Sequence, residues 1–332
     1  MAANAEGRVR TAVGLDVGGT KAAGLLVAEG GEILSRHVAE TPADDVDATM
    51  STLFEVIERL GKESDPVAVG IGGAGMVDFE AGVMRFAPNL AWRELPIRDM
   101  VSEHTGLPCI LDNDANAACW GEYRFGAGRG YRYVLLLTVG TGIGGGIVAD
   151  GVLYRGAHGF AAEVGHVIVE PDGPLCGCGN RGCLEQVASG RALDRLARDA
   201  AAQHADGLIA RLSGTGEVTG RHVTEAAERG DQVARQILEE VGIRLGVGIA
   251  GFVNVLDPEV VVVGGGVAEI GDPLLEPARR AYRETVLAPD HRPDVPIVQA
   301  ALGNDAGAIG AAALALELER SGAATPRREG PS

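Results

Sequence analysis

The residues most able to do chemistry are concentrated between His158 and Gln186: Glu163, His166, Cys176, Cys178, Cys183 and Glu185. Three thiols and an imidazole, the thiols spaced Cys-x-Cys-Gly-x-x-Gly-Cys, are the ligand set of a closed tetrahedral zinc site. Gly177, Gly179 and Gly182 let the backbone curl tightly enough for three sulfurs to meet at one ion. A disulfide accounts poorly for three clustered cysteines, because one is left over. Three unrelated buried thiols would not need that glycine spacing. The expectation is therefore zinc on His166, Cys176, Cys178 and Cys183, structural because no ligand position is left for water. Glu163 and Glu185 bracket the knot and exceed its ligand count. A rigid carboxylate pair beside a metal-ordered loop suits gripping hydroxyl groups.

A second set of polar residues lies where apolar runs end. The run Val13 to Val17 enters Gly18-Gly19-Thr20-Lys21, and further runs follow at Ala22 to Ala28 and Ile33 to Val38. This pattern predicts a hairpin, which argues against a Walker loop and a dinucleotide fold, since both feed a helix. The glycine turn can offer backbone N–H groups to phosphate, and Asp16 at the strand end can hold magnesium through water. An ordinary hairpin turn fits as well. The pattern recurs: a strand Val134 to Val139, then Gly140-Thr141-Gly142-Ile143-Gly144-Gly145-Gly146, then a strand from Ile147. Two such hairpins suggest two related domains, each with a phosphate clamp.

Three more strand ends carry candidates. Val67 to Ile71 runs into a loop at 72–75 that contains Gly73 and would admit a small ligand, or merely turn. Asn89, in an irregular stretch, is either a ligand contact or a turn residue. Cys109 to Asp112 precedes Asn113-Asp114-Ala115-Asn116 and a helix from Ala117 to Phe125. Helix capping needs only one of these polar residues, and an acid exposed at a strand end is where a general base sits. The all-valine strand Val260 to Val263 is too apolar for a sheet edge. It leads into Gly264, Gly265 and Gly266, and ligands of open α/β sheets bind beyond such carboxyl ends. A nucleoside is expected to rest there.

These elements have a whole chain to position them. Its 332 residues, 46 % hydrophobic, allow two domains with cores of their own. A formal charge of −17 argues against nucleic acid or an anionic membrane as partner. Cys109 and Cys119, outside the knot, are expected as buried free thiols of a reducing cytoplasm. The amino terminus lacks the apolar stretch of a signal peptide, and the longest apolar region, Leu245 to Leu256, is too short to span a bilayer. Helical periodicity runs through Val46 to Leu60, Leu193 to Ala200, Asp231 to Leu256 and Ala306 to Leu318. Gly126 to Gly130 reads as a domain boundary, and the two ends as frayed tails.

In six motifs the chain resembles the ROK family of sugar kinases, and within it the bacterial members that phosphorylate glucose. They are Leu15-Asp-Val-Gly-Gly-Thr-Lys21, Asp112-Asn-Asp-Ala-Asn116, Thr138-Val-Gly-Thr-Gly-Ile-Gly144, Ala162-Glu-Val-Gly-His166, Cys176-Gly-Cys-Gly-Asn-Arg-Gly-Cys183 and Val263-Gly-Gly-Gly266. They stand in the family's order; the cysteine knot and its preceding Glu-x-x-His are specific, the glycine turns less so. One departure is Ala162, where a glycine commonly precedes the glutamate.

The resemblance implies an α/β, two-domain actin-like or hexokinase-like (ribonuclease H-like) fold with sugar and nucleotide in a cleft between the lobes. The lobes would be 11–125, with the helix at about 305–318 packing back on it, and 126–304, with a zinc-binding insertion at 158–186; tails would occupy 1–10 and 320–332. The implied reaction is ATP-dependent phosphorylation of glucose, with Asp114 taking the proton of the 6-hydroxyl. Gly73, Asn89, Asn113, Asp114, Glu163, His166 and Glu185 would contact the sugar. Asp16, with magnesium, Gly18, Gly19, Thr20, Lys21, Thr138, Gly140, Thr141, Gly142 and Gly264 to Gly266 would hold the nucleotide. His166 would put one ring nitrogen on zinc and turn the other to a sugar hydroxyl. Family members are commonly dimers or tetramers. Alternatives within the family are kinases of N-acetylhexosamines or fructose, a polyphosphate-dependent glucose kinase, and sugar-responsive repressors. The repressors carry a helix-turn-helix domain for which too few residues precede Val13.

Overall fold

The computed structural model describes residues 9–322; the expected tails fall largely outside them. In chain order the first part holds strands β1 (Thr11–Val17), β2 (Lys21–Ala28) and β3 (Ile33–Glu40), helix α1 (Val46–Gly61) and strand β4 (Ala68–Gly73). Then come β5 (Met76–Asp78), β6 (Val83–Phe86), β7 (Arg93–Leu95), α2 (Ile97–Thr105), β8 (Cys109–Asn113) and α3 (Asp114–Phe125). The second part contains β9 (Val134–Val139), β10 (Ile143–Ala149), β11 (Val152–Leu153), α4 (Leu184–Ala188), α5 (Gly190–Gln203), α6 (Leu208–Ser213) and α7 (Gly220–Glu228). It ends with α8 (Gln232–Leu256), β12 (Val260–Gly264), α9 (Asp272–Thr285), β13 (Ile297–Gln299) and α10 (Ala306–Ser321).

Two compact units result. One comprises residues up to Arg132, Gly146–Ala162 and the chain from Asn304; the other comprises Tyr133–Gly145 and Glu163–Gly303. The chain leaves the first unit after Arg132, a few residues beyond the Gly126 to Gly130 stretch, and re-enters it inside β10. Residues 146–162, expected with the second lobe, therefore belong to the first.

The first unit is built on a sheet in the order β3-β2-β1-β4-β8, antiparallel in the hairpins and parallel from β1 to β8. The alanine-rich α10 lies against β1 and β4, and glycines explain how close it comes. A Cβ on Gly14 would stand 1.9 Å from the carbonyl oxygen of Ala308, and one on Gly70 1.9 Å from that of Ala311. Any larger residue at either strand position would push the helix off the sheet. Val13, Leu15, Leu53, Val69, Trp92 and Leu111 form the middle of this unit's core.

Helix α3 starts at Asp114, not at Ala117 as expected, because Asn113 caps it. The Asn113 Oδ1 accepts from the Ala115 and Asn116 backbone N–H groups at 2.9 and 3.1 Å, so the helix begins as soon as the strand ends. Strand β10 likewise begins earlier than expected, at Ile143. Its glycines are strand residues, and at Gly146 a Cβ would lie 2.3 Å from that of Cys119 on α3. Close packing outweighs the low strand propensity of glycine there.

In the second unit the all-valine β12 lies between β9 and β13, parallel to both, the buried position its composition implies. The long helix α8 is capped by Asp231, whose carboxylate accepts from Ala234 N–H at 2.9 Å. Leu193, Ile209, Val223, Leu238, Val241 and Leu274 join α5 to α9 in a helical core. No helix among the described residues is long and apolar enough to cross a membrane.

Candidate functional site

In the first unit the parallel register aligns three strand ends: Val17 faces Gly73, and Gly73 faces Asn113. Asp16, Gly73, Asn113 and Asp114 therefore gather at one edge of the sheet. Asn89 joins them, since a Cβ on Gly19 would meet the Asn89 carbonyl oxygen at 2.6 Å. The turn from Gly18 to Thr20 is closed by the Gly18 N–H donating to Lys21 O at 3.1 Å. Asn113 spends its side-chain oxygen on the helix cap and donates from Nδ2 to Gly75 O at 3.1 Å, and its side chain also hydrogen-bonds the Asp114 carboxyl.

Asp114 occupies the first position of α3. Burial pushes its carboxyl above the ordinary range, against the pull of the Ala115 N–H, its own N–H and the Asn113 side chain. Asp16, on β1, is pushed up to about 7: burial comes first, the charge of Asp114 adds to it, and Lys21 opposes it. Two mutually repelling carboxyls, at strand ends on either side of β4, make a setting in which a cation is welcome and a proton is readily exchanged.

The second unit collects the other glycine candidates. Thr138 on β9 is in register with Gly264 on β12, and Val267 N–H donates to Val139 O at 2.9 Å. Gly265 has φ +85°, and a Cβ there would stand 2.5 Å from the Val139 carbonyl oxygen, so this position admits no side chain. The Gly140–Gly142 turn is braced by α5: Gly190 N–H donates to Gly140 O at 2.8 Å, and Ser189 Oγ and Arg191 N–H reach Thr141 O at 3.1 and 3.3 Å. Glu185 lies against the same turn, accepting from Ile143 N–H at 3.2 Å, with Arg191 at 3.7 Å.

The knot also belongs to this unit. One ligand atom each from His166, Cys176, Cys178 and Cys183 lies within 4.8 Å of all the others, so these residues could hold a metal ion. The His166 Nδ1 faces Cys176 Sγ at 3.6 Å, and Cys178 and Cys183 Sγ are also 3.6 Å apart. All five cysteines are free. A backbone N–H from Asn180 brings the Cys178 thiol down to about 7, whereas burial pushes Cys183 up to about 12. Gln186 joins knot to acid: its Nε2 lies 3.7 Å from Cys176 Sγ and 3.4 Å from Glu185 Oε1. Glu163 precedes the short turn of 3-10 helix Val164–His166, which carries the knot's histidine.

Several residues here were not singled out from the sequence. Ser189, Gly190 and Arg191 had a readable signal, a serine cap opening an amphipathic helix. Gln186 had none. Asp112 and Arg155, described below, pair across 43 positions, a separation that no local pattern reveals.

Two α/β units, each ending its strands in glycine turns, define a two-domain protein of the hexokinase-like fold class expected from the sequence. The ROK family model matches residues 12–318, and the chain belongs to that family. A glucokinase of Streptomyces coelicolor is 43 % identical over 309 residues, 92 % of this chain and 97 % of that protein. A glucokinase of Thermotoga maritima is 38 % identical over 308 residues, with the same coverages of 92 and 97 %. The crystal structure of a ROK family glucokinase from Streptomyces griseus, in complex with glucose and AMPPNP, has 42 % identity and a TM-score of 0.84, covering 92 % of this chain and 99 % of that one.

Proposed function

We propose that this protein transfers the γ-phosphoryl group of ATP to the 6-hydroxyl of glucose, with Asp114 as general base. The observation that carries the reading is the placement of Asp114: a buried carboxyl of raised pKa, on the first turn of a helix, beside a strand-end cluster of polar residues. A sugar hydroxyl is a weak nucleophile at neutral pH, so its proton must pass to a positioned acceptor as the oxygen attacks phosphorus. The carboxyl then carries that proton away from the reacting centre. The names of the relatives above support glucose and a nucleotide as the ligands.

The remaining roles follow the donor chemistry. In this reading Gly73, Asn89, Asn113, Glu163, His166 and Glu185 contact the sugar. The turns Gly18 to Lys21 and Gly140 to Gly142, with Thr138, would hold phosphates through N–H groups other than those of Gly18 and Gly140, which close the turns, and Gly264 to Gly266 would accept the nucleoside. Asp16 would hold magnesium, which neutralises phosphate charge when bound. His166, Cys176, Cys178 and Cys183 would hold structural zinc. Ligands about 2.3 Å from a tetrahedral ion stand roughly 3.8 Å apart, close to the 3.6 Å separations here. The Nδ1 side of His166 faces the sulfurs, so its Nε2 is the nitrogen turned to the sugar.

A homo-oligomer, dimer or tetramer, belongs to the same reading, supported by the exposed Ile243, Val247 and Val255, successively four and eight residues apart on α8. So does a reducing, cytoplasmic setting, supported by the free thiols Cys109 and Cys119. The test is a coupled-assay panel of hexoses against ATP, GTP and polyphosphate. Glucose with ATP should give the highest kcat/KM. N-acetylglucosamine should be poor, because bulk at position 2 meets the zinc-held His166, and mannose should lose less. Equal kcat/KM for glucose and N-acetylglucosamine would refute the sugar assignment, and polyphosphate outperforming ATP would refute the donor.

A further inference from the structure

Two residues before Asp114 stands a carboxylate with no part in the proposed chemistry. Asp112 is 2 % exposed, and both of its oxygens are engaged. Its Oδ1 accepts from the Asn113 backbone N–H at 2.8 Å and from the Asn116 side-chain amide at 3.0 Å. Its Oδ2 accepts from Arg155 Nε at 2.7 Å, and Arg155 Nη2 is 2.7 Å from the same oxygen. The guanidinium in turn stacks 3.7 Å from the centre of the Phe79 ring. Arg155 itself is fixed by the Ala161 N–H, which donates to its carbonyl oxygen at 3.1 Å. A carboxylate with a guanidinium on one oxygen and two amides on the other has a single orientation open to it.

We infer that Arg155 is a positioning residue for Asp114, acting through Asp112 and the first turn of α3. The inference rests on Asp114 being the general base. Asn113 precedes Asp114 and Asn116 follows it, so both donors to Asp112 flank the base, and what orients Asp112 orients that turn. Helix initiation does not require the arrangement, because Asn113 already caps α3 through two N–H groups. Nor is a buried ion pair an efficient source of stability, since apolar replacements often do as well. What the pair contributes is orientation. Its guanidinium also places a positive charge on the third carboxylate of a region where Asp16 and Asp114 already repel.

The experiment is a double-mutant cycle with glucose and magnesium-ATP, comparing wild type, Arg155→Met, Asp114→Asn and the double variant. Arg155→Met should lower kcat about 10- to 100-fold and change the glucose KM less than about 3-fold, the signature of a displaced catalytic group. In the Asp114→Asn background the same substitution should lower kcat no further, because the base it places is gone. Arg155→Lys, which keeps the charge and loses the fork, should show a smaller loss with the same non-additivity, and serves if the methionine variant does not fold. An equal loss in both backgrounds would overturn the inference in favour of general loosening, as would a wild-type kcat in Arg155→Met. Wild-type turnover in Asp114→Asn alone would instead break the general-base reading, and the inference with it.

Discussion

The strand-to-helix junction at Asp112–Asn116 and the knot at Cys176–Cys183 are both small, polar and sharply turned, yet they are held in opposite ways. The junction ends a strand in sheet register, Gly72 with Asp112 and Gly73 with Asn113, and the Asp112 carboxylate and the Asn113 side-chain oxygen are both hydrogen-bonded within the protein. The knot has two isolated bridges, Ile168 with Cys183 and Leu175 with Arg181, and apolar neighbours left largely in solvent, Leu175 being 62 % exposed. Its buried Cys176 and Cys183 are held by loop backbone bonds, such as Cys176 N–H to Asn180 O at 2.7 Å, and by no strand ladder. The polypeptide alone places the candidate base, whereas the knot gathers four ligand atoms that could hold a metal ion.

The largest expected effect is on the side that the chain orders alone. Asp114→Asn should lower kcat at least about 10²-fold, the scale of a general base, with melting unchanged within a few degrees because the cap on Asn113 remains. Steady-state kinetics and a thermal melt check this. Undiminished turnover would remove the chemistry from the junction. On the other side, elemental analysis should find one zinc per chain in the wild type and none in Cys178→Ser. The glucose KM should rise roughly 10- to 100-fold, the scale on which supports of a metal site act, and stability should fall with it. A metal-free wild type of full activity would show that the knot needs no ion.

The pH dependence sharpens the comparison further. Asp114 accepts a proton only when ionised, and its pKa is raised by burial. As pH falls, protonation therefore disables it sooner than it would an ordinary carboxylate. The acid limb of kcat/KM should lie clearly above the usual carboxylate range and vanish in Asp114→Asn. A limb at the ordinary position would mean that water reaches the junction. The smallest effect concerns Ala162, at the chain's approach to Glu163, which has φ +67°. Left-handed backbone costs alanine about 1 kcal/mol that glycine avoids. Ala162→Gly should raise melting by about 1 to 3 °C, once the looser unfolded chain is counted. A lower melting temperature would show that the alanine methyl is supported by packing.

The physical basis of these signals decides how much was legible. The hairpins, β9, β12, α8 and α10 follow from periodicity, caps and glycine punctuation, which act locally. The knot was legible because metal ligands must converge, and convergence leaves a spacing. The start of α3 was misread because a cap on the last strand residue leaves no loop to see. Strand β10 was misread because a glycine such as Gly146 serves packing against Cys119, a demand made by a distant helix. Asp112 with Arg155, and Gln186 between Cys176 and Glu185, were invisible because each role depends on partners that only folding brings together. The left-handed backbone at Ala162 accounts for the glycine common there in the family and was signalled by that departure.

The most direct test of the central claim is product identification by 31P NMR, with the purified protein, glucose and magnesium-ATP. The account predicts ADP and glucose 6-phosphate in equal amounts, with both signals lost together in Asp114→Asn. A phosphoryl group on another carbon, or ADP accompanied only by free phosphate, would contradict it.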